Sequence, residues 1–305
     1  MSDQIQIQAR EALLNLDDHL VTATSREGRV RCVAAWSTKT IQTACRCHDL
    51  SPLATIAMGR FGIGAQLMAA TLKNPTDVMS MTLKCEGPLK GMVVVSDYQS
   101  NIRGYVQNEH ADVPPGEDGK IHFREVVGAG TLTVVKDMGL KTPYSGTVKL
   151  ISGEIAEDLA FYLMTSEQLP SVLATTVLLH QSGVYMAGGL LIQLMPGATS
   201  EDLTYIEQRA SGFPELGFLM NEGFTPKQWI DLFMGDPNLH YLETHPIAFK
   251  CHCSEKRMTK NLLALGKAEL EALAADPKGI DLHCHFCNRH YAFSQERIRE
   301  LISCN

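Results

Sequence analysis

Two close pairs of cysteines stand near the end of the chain, Cys251-His-Cys253 and Cys284-His-Phe-Cys287, with thirty residues between them. The thiolate is the form of cysteine that binds metal, and also the form that oxidants attack. Two such pairs, brought together by a fold, supply the four donors of a tetrahedral zinc site. Strand-like runs flank the second pair, Ile280-Asp-Leu-His283 and His290-Tyr-Ala-Phe293, and predict a metal knuckle at a hairpin tip. Alternative readings stay open. His252, His283, His285 or His290 could replace one thiolate, and the zinc could be constitutively structural. Burial as four apolar fillers fits such close spacing poorly.

Oxidation to disulfides would remove the ligands and release the metal. Short loops close at high effective concentration, so the spacing favours Cys251–Cys253 and Cys284–Cys287 as products. The C-x-C ring is small and strained, hence readily reduced again.

The elements that must position these thiols are slight. Ser254 is suited to cap a helix that Gly266 ends, a second helix runs from Lys267 to Ala275, and a third follows Ser294. Leu262, Leu263, Leu265, Leu270, Leu273, Phe293, Ile298 and Leu301 make the only sizeable core of residues 245–305. A core that small supplies at most a few kcal/mol. Structural zinc contributes roughly 10–16 kcal/mol in small peptides, so metal decides whether this unit folds. Its loss would convert oxidant into exposed apolar surface.

Upstream lies residues 196–244, with eight acidic side chains against two basic ones, net −6. Thr225 as N-cap, Pro226 as first residue and Gly235 beyond the end bound a short helix carrying Trp229, Ile230, Leu232 and Phe233. Another short helix surrounds Leu203, Ile206 and Ala210. Helices this short need a surface to pack on, so the segment reads as a helical, acidic connector folded by docking. Residues 1–195 read as an N-terminal α+β core of mixed sheet and helix. Strands are expected at Ile102–Gln107, Thr131–Val135 and Thr147–Ile151, helices at Ser51–Lys73 and Gly153–Ser166, and a hairpin over Ser171–Met195 around His180–Gly183. The fold class is thus α+β, with a small C-terminal zinc-binding domain of short helices and a β-hairpin at 245–305.

Composition sets the outer bounds. The chain has 305 residues, 45% hydrophobic and 20% charged, with 27 Lys+Arg against 34 Asp+Glu, a formal charge of −7. That balance gives no general attraction for nucleic acid or anionic membranes, and the last unit is only +2. The first ten residues hold no apolar signal core, and the uncharged run between Glu167 and Glu201 is too interrupted to span a bilayer. A cytoplasmic protein is expected, its nine cysteines mostly reduced thiols or metal ligands.

The chain resembles the redox-regulated heat-shock chaperones, the 33 kDa chaperonin family, over nearly its whole length. The carriers are Gly130-Thr-Leu-Thr-Val-Val-Lys-Asp-Met-Gly139, Pro143-Tyr-Ser-Gly146, Gly153-Glu-Ile-Ala-Glu-Asp158, Ser166-Glu-Gln-Leu-Pro-Ser171, Gly188-Gly-Leu-Leu-Ile-Gln-Leu-Met-Pro-Gly-Ala198, Phe249-Lys-Cys-His-Cys-Ser254 and Cys284-His-Phe-Cys287. The resemblance implies an ATP-independent holdase, not an enzyme, with no catalytic residues. Its reduced form would hold one zinc on Cys251, Cys253, Cys284 and Cys287. Oxidation would form the two neighbouring disulfides, unfold the C-terminal unit and connector, and favour a homodimer that binds unfolding client proteins.

Two rivals remain. A thiol–disulfide oxidoreductase would use Cys284 and Cys287 but wants them at a strand-to-helix junction, and a zinc-ribbon nucleic-acid binder wants more positive charge. Cys45-Arg-Cys47-His48 has no second pair to complete a metal site and reads as incidental thiols. Cys32 and Cys85 read as small core residues, and Cys304 as an exposed thiol open to adventitious intermolecular pairing. Gly59, Gly62 and Gly64 are in the wrong order for a dinucleotide fingerprint and point to close helix packing.

Overall fold

The computed structural model describes residues 13–303. The expectations for Cys304 and for the first ten residues fall outside that range. The chain divides into two compact units, Met1–Phe249 and Lys250–Asn305.

In the first unit, β1 (His19–Ser25) turns through Arg26–Gly28 into β2 (Val30–Trp36), followed by α1 (Thr38–His48) and α2 (Pro52–Ala69). Next come β3 (Val78–Cys85), β4 (Gly91–Asp97), β5 (Ile102–Val106), α3 (Phe123–Val127), β6 (Gly130–Asp137), β7 (Tyr144–Lys149) and α4 (Ala156–Ser166). The hairpin of β8 (Ser171–His180) and β9 (Gly183–Leu194) leads to α5 (Ser200–Ser211), α6 (Leu216–Asn221), α7 (Pro226–Met234) and β10 (His240–Pro246). Two five-stranded antiparallel sheets result, in the orders β10-β1-β2-β9-β8 and β5-β4-β3-β6-β7.

Helix α2 is apolar nearly all round and almost wholly buried, as a helix without a polar face must be. It begins where Ser51 Oγ accepts the Ala54 N–H, with Pro52 at its first position. Its glycines allow close packing: a Cβ at Gly59 would stand 2.5 Å from Val177, and one at Gly64 2.3 Å from Leu159. The chain enters α4 through a left-handed residue, Ile155, at φ 64°. The fully buried Asp158 carboxylate holds that turn by accepting the backbone N–H groups of Ile151, Ser152, Gly153 and Ile155 at 2.7–3.2 Å.

Strand β2 shares itself between two cores. Val33 and Ala35 face one cluster with α1 and α2, while Cys32, Ala34 and Trp36 face another with α5, α6 and α7. The Gly188-Gly189 pair in β9 follows the same alternation. A Cβ at Gly189 would meet Ile63 at 2.5 Å, and one at Gly188 would meet Trp229 at 2.9 Å and the Ala35 carbonyl at 2.7 Å. Helices press on both faces of the strand there.

The acidic connector docks on that second face. Trp229 lies against Trp36 with ring centroids 5.9 Å apart, and both are fully buried. Thr225, Pro226 and Gly235 bound α7 as the sequence indicates, with Gly235 left-handed. Asp202, fully buried at the start of α5, pairs with Arg26 and with Arg29 Nε at 2.8 Å, and accepts the Thr199 N–H. The connector is not helical throughout. His240–Pro246 pairs with β1, because the outer edge of β1 carries backbone groups that otherwise lack partners.

The second unit contains α8 (Glu255–Leu263), α9 (Lys267–Leu273), the hairpin β11 (Ile280–His283) and β12 (His290–Phe293), and α10 (Gln295–Ser303). Ser254 caps α8, its Oγ accepting the Arg257 N–H at 3.3 Å. The apolar core is Leu262, Leu270, Ala274, Phe293, Ile298 and Leu301. No helix among the described residues is long and apolar enough to cross a membrane.

Candidate metal centre

Strands β11 and β12 pair antiparallel with His283 opposite His290, so Cys284–Arg289 forms the loop at the tip. The Cys284 carbonyl accepts both the Cys287 N–H at 3.2 Å and the Asn288 N–H at 2.7 Å, and Asn288 takes the left-handed conformation that asparagine tolerates. This tight loop aims Cys284 and Cys287 the same way. Cys251 and Cys253, in the irregular segment before α8, bring their sulfurs to the same place.

All four sulfurs lie within 4.8 Å of one another. Cys251 Sγ is 3.7 Å from Cys284 Sγ, and Cys253 Sγ is 3.4 Å from Cys287 Sγ. A disulfide would bring sulfurs to about 2.05 Å, so these are free thiols. Zinc–sulfur bonds of about 2.3 Å in a tetrahedron set sulfurs about 3.8 Å apart, which these spacings approach. Among the described residues, this is the one group of three or more Cys, His, Asp or Glu whose donor atoms are already gathered for a metal. The Cys45, Cys47 and His48 side chains form no such group.

The electrostatics also favour a cation. Burial pushes the Cys251 thiol up to about 11, and burial together with the neighbouring sulfurs pushes Cys287 up further. Cys253 falls to about 7. Burial opposes this, but the Tyr291 hydroxyl, donating at 3.0 Å, and the other thiols stabilise its thiolate. One negative charge therefore forms readily and the next are resisted, until a positive ion joins them. Cys284 is the most enclosed of the four, at 6% exposed.

Tyr291 has no place in the sequence expectations. Its one available signal was the alternation of His290-Tyr-Ala-Phe293, which sends Tyr291 and Phe293 to the same face of β12. The remaining cysteines behave differently. Cys32 is fully buried and pushed up to about 12, and Cys85 is half-buried and pushed up to about 11, both by burial. Cys45 is raised by burial too, which marks it as a packing residue.

A 33 kDa chaperonin of Ruminiclostridium cellulolyticum is 43% identical over 290 residues, covering 95% of this chain and 99% of the relative. One from Acetivibrio thermocellus is 38% identical over 288 residues, covering 94% and 97%. The crystal structure of the 33 kDa chaperonin (heat shock protein 33 homolog) of Thermotoga maritima superposes with a TM-score of 0.87 at 34% identity, covering 95% of this chain and 99% of that one. The α+β core and the four-cysteine unit thus lie in a chain similar over nearly its whole length to proteins named as chaperonins. The family described as Hsp33 protein matches residues 18–294, and this chain belongs to it.

Proposed function

We propose that the chain is an ATP-independent holdase of the cytoplasm, switched on by oxidation of a zinc centre on Cys251, Cys253, Cys284 and Cys287. The observation that carries this reading is the convergence of four thiols inside a unit whose own core is six side chains. Four sulfur donors in a near-tetrahedral cluster suit zinc above harder cations. When bound, zinc would neutralise the thiolates and tie the first cysteine pair to the hairpin.

In the reduced state the thiols would hold residues 245–305 folded, with 196–244 docked on the 1–195 core. One hydrogen peroxide would take two electrons from each cysteine pair. Its O–O bond breaks, two protons from solvent complete two waters because zinc-held thiolates carry none, and an S–S bond forms within Cys251–Cys253 and, with a second peroxide, within Cys284–Cys287. With the ligands gone, the C-terminal unit falls back on a core too small to fold alone. Undocking of the connector would then bare the face around Trp36 and Met186 to unfolding client proteins, and the same apolar surface would favour a homodimer. An oxidoreductase would present its C-x-x-C at a strand-to-helix junction, whereas a strand follows Cys287 here.

The test joins three measurements on one sample treated with peroxide: zinc release, loss of C-terminal helix, and suppression of the thermal aggregation of an unrelated client. All three should rise together. Zinc release with no change in holdase activity would overturn the switch.

A further inference from the structure

The outward face of the β11–β12 hairpin carries chemistry that the four thiols do not use. Alternation along β11 sends Ile280 and Leu282 inward to the small core and leaves Asp281 and His283 exposed. His290, directly across from His283, is exposed on the same face, and His285 reaches it from the loop. The His283 ring lies 5.0 Å from that of His285, edge to face, and 6.0 Å from that of His290. Asp281 Oδ2 sits 2.6 Å from His290 Nδ1.

We propose that His283, His285 and His290, with Asp281 behind His290, form a second site for a borderline divalent cation such as Zn²⁺. Two imidazoles bound to one tetrahedral ion at about 2.0 Å hold their ring centres about 5 Å apart, the spacing of His283 and His285. A metal-binding histidine usually gives its other ring N–H to a carboxylate, which fixes the tautomer and raises the basicity of the free nitrogen. Asp281 does this for His290 and leaves its Nε2 as the ligand atom. All three rings are exposed, so an ion has an open approach. Unlike the thiols, the imidazoles are not already gathered; side-chain rotation of His283 closes the remaining gap while Asp281 keeps His290 in place. Solvent completes the coordination. The site is weaker than the thiol centre, fills after it, and lies on the opposite face of the same hairpin from the core-facing side chains.

The test uses the full-length reduced protein carrying its first equivalent of zinc. Further Zn²⁺ is added and followed by calorimetry and by the proton NMR signals of the imidazoles. A second equivalent should bind while the signals of His283, His285 and His290 shift together. A variant with His283→Ala and His285→Ala should lose the second ion, and Asp281→Asn should weaken it by about 10–100-fold. Both should keep the first ion and the parent's circular dichroism. Binding of one ion only, or a second ion held equally well by these variants, overturns the proposal. The thiol centre fails separately: its failure would remove the first, cysteine-dependent equivalent and leave the imidazole shifts in place.

Discussion

Cysteine spacing was readable because metal ligation needs residues close in sequence, and two close pairs stand out against any background. The Cys284→Ser variant removes one donor and the most enclosed sulfur of the cluster. It should purify with well under one zinc per chain and with a C-terminal unit that melts far below the parent's, as metal analysis and circular dichroism would record. Asp158 had no such visibility. Its motif, Gly153-Glu-Ile-Ala-Glu-Asp158, carried the resemblance, but a carboxylate binding four backbone N–H groups is a contact the sequence does not spell out. Asp158→Ala leaves those buried donors without an acceptor and should cost about 3 kcal/mol, seen as a lower urea midpoint with an unchanged slope. Tyr291 was hidden for the same reason: its role depends on which sulfur its face of the strand meets.

Among the elements, helices with strong caps and the β8–β9 hairpin were legible, whereas β1, β2 and the strand at the connector's end were not. β10 reads as polar, His-Tyr-Leu-Glu-Thr-His-Pro, and is a strand only because β1 offers it an edge. Gly188 illustrates how an element interface constrains one residue. In Gly188→Ala the new methyl would press on the Ala35 carbonyl and on Trp229, so α7 should loosen at a cost of about 1–3 kcal/mol. The chain's two tryptophans, Trp36 and Trp229, face each other, so their fluorescence should report this as a red shift. The same signal follows the Asp202 latch. Hydrogen bonds from Arg29, then Arg26, hold its carboxyl well below the ordinary 3.8 against the opposing effect of burial. A carboxylate with a depressed folded-state value stabilises docking above its ordinary value and loses that contribution as the pH falls below it. Tryptophan emission scanned from about pH 5 down to pH 2 should shift in the parent as the pH falls below the ordinary carboxylate value, and less in Asp202→Asn, whose latch is weakened throughout.

On the scale of the whole molecule, stability is unevenly divided. Two large apolar clusters serve Met1–Phe249, while six buried apolar side chains serve Lys250–Asn305. Chelating the metal from reduced protein should therefore abolish the helical signal of residues 255–303 and open them to protease, while the core of residues 13–195 stays folded. A single cooperative loss of both units would contradict this division. The sequence reads as three segments, 1–195, 196–244 and 245–305, whereas the chain divides into two compact units after Phe249. The placement of residues 245–249 with the larger unit was not foreseeable, because only the pairing of β10 with β1 and of Ile102 with the chain near Phe249 puts them there.

That last strand bears on what an opened molecule would offer. β10 is the outermost strand of its sheet, and along β1 it occupies the amide and carbonyl groups from His19 to Thr24. Detachment of the connector with β10 would strip that border and leave β1 with a row of unanswered backbone donors and acceptors. Main-chain groups are the same in every polypeptide. A non-native chain could be gripped there by its peptide bonds whatever its side chains, which is what a guardian of many different sequences requires.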